Sequence, residues 1–261
     1  MEDLMHRLPA LFATVVWPFC RFLAAFAVAP VLGEAMVPMR VRALAALALA
    51  VVAQPGLPPL PALEPFSVAG VEVMAEQILI GGMLGFAFHL VLSGLLVLGT
   101  LVSAQMGLSM AVMNDPINGT ASDAMSSLLY TLFVLLFFAV DGHLVLTQVL
   151  ARSFHVWPIG GVGMAAVSLE RLAHGVGWVS SVALMLALPL VFAIMVIQMG
   201  MGFLQRVAPS LNLFSLGFSI TTVFGLLLMT ALVPALPEHF GRMMAHVLEL
   251  LDGMAVAGSA T

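Results

Sequence analysis

Two stretches, Val176 to Gln205 and Leu211 to Leu236, contain no Asp, Glu, Lys or Arg, and only "RVAPS" lies between them. Uncharged runs this long leave few options. A strand crossing a bilayer needs about 10 residues and a helix about 20, and backbone in hydrocarbon must satisfy its own N–H and C=O groups. Both runs are therefore read as helices. Four further apolar stretches, 8–32, 41–53, 70–102 and 126–150, read the same way. The sequence predicts an all-α membrane protein of about six hydrophobic helices. Composition agrees: 62% of the 261 residues are hydrophobic and 8% are charged, where a soluble domain carries roughly 25% charged residues. The acidic start "MEDLMHRL", with Arg21 inside the first apolar run, does not read as a cleaved signal, and the first segment is taken as mature structure.

Two features complicate a simple bundle. The stretch 41–53 has 13 residues and covers about 20 Å, against a hydrocarbon core of ~30 Å. Either this helix begins earlier, near Met36, or part of the chain packs against other subunits instead of lipid. The arginines give no orientation, because six spans put Arg40, Arg42 and Arg206 on one side and Arg7, Arg152, Arg171 and Arg242 on the other. A last segment, 238–252, places Phe240, Met243, Met244, Val247, Leu248 and Leu251 on one face. That pattern suits an amphipathic helix at an interface or against a partner. Small residues at four-residue spacing, Gly81/Gly85, Ala25/Ala29 and Ala46/Ala50, allow close helix contacts.

Charged residues inside apolar runs are the first candidates for chemistry, since burying them is costly. Arg21, His89 and Asp141 qualify. Asp141 has no second Asp in an apolar span with which to form an aspartyl pair. "GLSM" lacks the glycine expected after a membrane-protease serine. No histidine pair has metal-binding spacing, and Cys20 is the only cysteine, so no metal site, cofactor site or catalytic constellation is expected. All eight basic residues are Arg and they do not cluster, which argues against nucleic acid as a partner. Asp141-Gly142 reads as a helix break with Gly142 supplying the unusual backbone angles. Arg21 is expected to pair with an acid, either Glu34 or one on a partner.

The centre of the chain is different again. "QMGLSMAVMNDPINGTASD", from Gln105 to Asp123, places Met106, Met110 and Met113 at helical spacing i, i+4 and i+7, then turns into Asn114, Asp115, Pro116, Asn118 and Gly119. Methionine is flexible and polarizable and can close around irregular shapes. The small polar residues after it suit a displaceable loop. The plain alternative is that the methionines pack a helix.

Several stretches together resemble one family. "QMGLSMAVMNDP", "LLFFAVDGHLVLTQVLARSFHVWPIG", "QILIGGMLGF", the Pro38–Arg42 segment, and above all R-x-A-P-x-x-N-x-F-x-x-G at Arg206, Ala208, Pro209, Asn212, Phe214 and Gly217 resemble the FliR family of flagellar biosynthesis proteins. That family includes the matching export protein of injectisome type III secretion systems. Ser210, Ser219 and Gln198 depart from the Gln, Pro and Asn that are frequent at those positions. The resemblance implies a core subunit of the export gate in the bacterial inner membrane, at the flagellar basal body, with the assembled gate reaching toward the periplasm. It implies FliP-like and FliQ-like subunits as partners, an FlhB-like protein at the cytoplasmic entrance, and unfolded flagellar proteins as cargo. It implies a FliP-like part at 1–175 fused to a FliQ-like hairpin and C-terminal helix at 176–261. It also implies that the loop at Met106, Met110, Met113, Asn114, Asp115, Pro116, Asn118 and Gly119 plugs the closed pore, and that Arg206, Pro209, Asn212, Phe214 and Gly217 contact other subunits. A secondary transporter is the competing class, but the internal repeats and mid-span polar groups it needs are not seen.

Overall fold

The structure is a computed structural model that describes residues 2–59, 64–65, 67–108, 124–161, 166–207 and 213–259. Among these residues there are eight α-helices and no strand. They are α1 (Glu2–Val28), α2 (Met39–Ala53), α3 (Val68–Met106), α4 (Ala124–Ala139), α5 (Gly142–Val156), α6 (Ala166–Val207), α7 (Leu213–Leu232) and α8 (Leu236–Ser259). Four helical stretches are long and apolar enough to cross a membrane, or five if the broken pair α4–α5 counts as one. The all-α membrane fold expected from the uncharged runs is what the chain adopts.

Helix lengths depart from a simple six-span bundle. α3 has 39 residues and α6 has 42, which at ~1.5 Å per residue is about 60 Å, nearly twice the thickness of hydrocarbon. α2 has 15 residues because it starts at Met39, two residues before the apolar stretch but not as early as Met36, and the 3-10 turn Gln54–Gly56 extends it further at the other end. Pro38 explains that boundary. It sits at the N-cap with φ −59°, where its fixed ring and missing N–H do no harm, whereas a helix running through it would lose a hydrogen bond.

The apolar run 126–150 is broken between Ala139 and Gly142. Asp141 itself adopts the left-handed conformation, φ 55°, and its carbonyl accepts from the N–H groups of Leu144 and Val145. This corrects the expectation for Gly142, which lies inside α5 and is buried. Asp is among the few residues that enter this region at modest cost, so the acid could take the turn and leave the glycine to pack.

The chain divides into two compact units, and α3, α6 and α8 contribute to both. The first comprises Met1–Leu90, Val140–Gly175 and Ala245–Thr261. Its centre is the contact of α3 with α1. Gln77, Gly81 and Gly85 form one four-residue ladder, facing the ladder Trp17, Arg21, Ala25 and Ala29, all fully or almost fully buried except where glycine has no side chain. A Cβ at Gly81 would run into the carbonyl oxygen of Arg21, and one at Gly85 into that of Ala25. The close-contact spacing seen in the sequence is therefore used, with glycines of α3 against the backbone of α1. Phe22 adds a ring contact with Phe154 of α5 at 5.6 Å. Ala46 and Ala50 are also buried, on the face of α2 that meets α1.

The second unit comprises Val91–Ala139 and Val176–Met244. Here Gly99 of α3 lies against the backbone of Ser126 in α4, and Phe133 stacks on Phe137 and meets Phe240 of α8 edge-on at 5.5 Å. The buried faces of α8 correct a second expectation. Phe240, Met243 and Met244, which belong to the second unit, are buried, as are Val247 and Leu251 of the first, and Leu248 is half-buried. This amphipathic face is packed by the chain's own residues and is not left for a partner.

Other faces are left bare. In the most apolar window of α3, 61% of residues are buried, but only 22% for α6 and 11% for α2. Leu184, Met185, Leu188 and Phe192 on α6 are each more than half exposed. Apolar surface on this scale needs lipid or other subunits to cover it.

The Gly81 contact yields a paired test. Gly81→Ala adds a methyl group against backbone that cannot swing aside, and is expected to cost about 1–3 kcal/mol. Gly82→Ala next to it meets nothing within 4 Å and is expected to be neutral or to stabilise the helix by up to about 1 kcal/mol. Thermal unfolding of the two variants in detergent distinguishes them.

Candidate functional site

α3 stops at Met106 for a local reason. Gly107 takes φ +77°, its N–H donates to Ala104 O at 3.2 Å, and the N–H of Leu108 donates to Ser103 O at 3.1 Å. This crossed pair is the usual glycine closure of a helix, and it satisfies two carbonyls that would otherwise be orphaned. A third is taken by a side chain: Nε2 of Gln198 on α6 donates to Gln105 O at 2.7 Å. Met106 is completely buried, and its side chain fills the space over Gly225 of α7, where an added Cβ would come within 2.6 Å of its sulfur. α3 thus ends at Met106 itself.

Around this helix end, within the second unit, is a cavity of about 610 Å³. Gln105, Met106 and Gly107 line it from α3 and its cap, Gln198, Met201, Gly202 and Gln205 from α6, and Gly217, Phe218 and Thr221 from α7. Three primary amides and a hydroxyl supply its polarity, and the Thr221 hydroxyl is held by the carbonyls of Gly217 and Phe218. Among the described residues the lining carries no titratable side chain. It can form hydrogen bonds to neutral polar groups and accept apolar ones, and it contains no acid, base or nucleophile of the ionisable kind.

The expected site residues separate clearly. Met106 and Gly217 come together at this cavity. Arg206 is exposed in the last turn of α6, and Phe214 falls in the first turn of α7. Met110, Met113, Asn114, Asp115, Pro116, Asn118, Gly119, Pro209 and Asn212 lie outside the described residues. Gln105, Gln198, Gln205 and Thr221 were not singled out as site residues. A usable signal existed in the sequence, since Gln198 and Gln205 are seven apart in an otherwise apolar run and so share a helix face.

Of the intramembrane polar residues, Asp141 is exposed at the α4–α5 break. Arg21 is fully buried in the first unit. Its Nε donates to Gln77 Oε1 at 2.8 Å, Nη1 to Ser153 Oγ at 3.0 Å, and Nη2 to Trp157 O at 2.8 Å. The guanidinium lies 4.1 Å from the centre of the Phe154 ring. Glu34 is not its partner: no carboxylate comes within ion-pair distance of Arg21 among the described residues, and neutral acceptors and an aromatic face surround the charge, with Glu76 acting on it from further off. The planar fork fits this arrangement, because its donors diverge in fixed directions toward three partners. No group of three His, Cys, Asp or Glu suited to a metal occurs among the described residues.

An all-α chain with apolar helices of unequal length, whose faces stay bare for lipid or other subunits to cover, is a membrane protein. The match to known proteins makes the class specific. The family described as bacterial export proteins, family 1, matches residues 12–247, and the chain belongs to it. The chain is 36% identical to the flagellar biosynthetic protein FliR of Pectobacterium carotovorum subsp. carotovorum and 33% identical to that of Escherichia coli (strain K12), in each case over 90% of both chains. It is 27% identical to the Yop proteins translocation protein T of Yersinia pestis over 95% of both chains. It is thus a FliR-type subunit of a type III export apparatus.

The Arg21 geometry predicts that charge alone will not suffice. Arg21→Lys keeps the cation but cannot reach Gln77, Ser153 and Trp157 together. A hydrogen bond to a charged group is worth about 1.5–3 kcal/mol, so the variant should lose about 2 kcal/mol or more in detergent unfolding. Gln198→Ala, which frees a partly accessible carbonyl, should cost no more than about 1 kcal/mol in the same measurement.

Proposed function

We propose that this chain is a core subunit of the flagellar type III protein export gate. In this reading it assembles with FliP-like and FliQ-like subunits around a pore through which unfolded flagellar proteins cross the inner membrane. An FlhB-like protein lies at the cytoplasmic side. The observation that carries the reading is likeness over nearly the whole chain to two flagellar FliR proteins at 36% and 33%, with the injectisome relative lower at 27%. The same ranking favours flagellar over injectisome use. Bare apolar faces on α2 and α6 support assembly into a complex, and helices of about 60 Å support a gate that extends beyond hydrocarbon toward the periplasm. In the proposed division, residues 1–175 are FliP-like and 176–261 are FliQ-like.

The gate itself is proposed at the segment after Gly107. Met110 and Met113, with Asn114, Asp115, Pro116, Asn118 and Gly119, close the pore at rest and yield to an arriving chain. Met106 belongs with them as the anchored root, because its side chain is locked over Gly225. Arg206, Pro209, Asn212, Phe214 and Gly217 are proposed to meet neighbouring subunits. Neither energy conversion nor catalysis is assigned to this chain. Co-expression with FliP-like and FliQ-like subunits tests assembly: the chain should purify as a monodisperse complex with them and aggregate when expressed alone.

The division of roles among the methionines is testable in one strain. Met106→Ala removes buried volume and should cost about 2–5 kcal/mol, seen as reduced complex yield without leak. Met113→Ala, or deletion of residues 114–121, should leave assembly intact and raise membrane permeability to small solutes. A deletion strain that assembles, secretes and stays tight would exclude the plug.

A further inference from the structure

The connection from α1 to α2, within the first unit, carries a valine in a conformation that suits glycine. Val31 has φ 66°, and the N–H of Leu32 donates to Pro30 O, only two residues back, at 2.7 Å. A turn this tight with positive φ is rare and strained, and a β-branched side chain makes the left-handed region costlier still. Asn and Gly enter it far more easily. Strain of this kind persists only where the surroundings hold it.

Two sets of contacts hold it here. On one side the chain folds straight back onto α1. The N–H of Gly33 donates to Ala29 O at 2.8 Å, and a Cβ at Gly33 would come within 2.7 Å of that oxygen and 2.8 Å of Ala27 O. On the other side Arg42, in the first turn of α2, reaches back and donates through Nη2 to Glu34 O, which also accepts from the N–H of Val37. Nε of Arg42 is drawn in and buried without an acceptor, so this contact is made at a cost. The far end of α2 is tied separately, by Nε2 of Gln54 donating to Thr14 Oγ1 of α1 at 3.2 Å. A strained turn at one end of a helix and an independent tie at the other make a hinge. We propose that the α1–α2 turn is a spring-loaded hinge with Arg42 as its catch. While Arg42 holds Glu34 O, Val31 stays strained. Once Arg42 lets go, the turn relaxes and the start of α2 swings off α1 about its Gln54 end.

The test is amide hydrogen exchange, read by mass spectrometry on the full-length chain in its membrane complex, with exchange in α3 reporting that each variant is folded. Relieving the strain favours the closed turn, so Val31→Asn should slow exchange across residues 31–37 by roughly five- to 100-fold. Val31→Gly should act in the same direction, and Val31→Ile, which keeps the strain, should not. In an unstrained turn the sign reverses, because both changes remove a half-buried side chain from its packing. Arg42→Met keeps the stem and removes the donors. It should speed exchange over residues 31–42 by about tenfold or more without reaching 50–54, and adding Val31→Asn should bring the rate back down. If neither Val31→Asn nor Val31→Gly slows exchange, the valine is not strained and the proposal is overturned. It is overturned equally if Arg42→Met leaves exchange unchanged or raises it evenly along the whole of α2.

Discussion

Two missing side chains, at Gly81 and Gly85, let α3 lie directly against carbonyls of α1. At ordinary helix separation Gln77 and Arg21 would be held apart by intervening side chains. At this separation Nε of Arg21 meets Gln77 Oε1 at 2.8 Å, and the same guanidinium still reaches α5 through Ser153 and the carbonyl of Trp157. Small residues thus act twice, by bringing backbones together and by setting the distance at which neutral dipoles solvate a buried cation that the charge of Glu76 reaches from further off. The arrangement shows how an intramembrane arginine is accommodated without an ion pair: three neutral oxygens and one ring share the work of solvation.

Much of the fold could be read from the chain, and the physical reason is simple. Uncharged runs in a protein of this composition have helix as their main solution, so the all-α class followed from 176–205 and 211–236. The glycine and alanine spacings were legible for the same reason, since four-residue periodicity says which small residues share a face. What was not legible depended on partners distant in sequence. The acid expected for Arg21 was a reasonable guess from charge, but Ser153 and Trp157 are 132 and 136 residues away, and neutral acceptors leave no charge pattern. The turn at Asp141 was located correctly and given to the wrong residue, because Asp and Gly both tolerate left-handed angles. The amphipathic pattern of 238–252 is real, but amphipathicity says that a face is covered and not by what. Of the three methionines at helical spacing, Met106 closes α3 before Gly107, and Met110 and Met113 lie outside the described residues. The export reading came from motif resemblance, since no titratable cluster or cavity chemistry would have pointed there.

The unequal lengths of the helices carry the same message as their bare surfaces. A chain adapted to lipid alone would match its spans to one thickness, because mismatch costs free energy for every exposed ångström. Here α2 is short, α3 and α6 are about twice the hydrocarbon depth, and α6 is largely uncovered. Such a chain is stable where neighbouring subunits define the surroundings.

The placement of Arg21 has a consequence in time. α1 is made before its acceptors, and the last of them, Trp157 O, follows 136 residues later. At translation rates of about 5–20 residues per second, that interval is roughly 7–27 s. Until then the Arg21 guanidinium lacks that carbonyl. The full set of contacts that holds α1 against α3 and α5 can therefore close only once the end of α5 has been made.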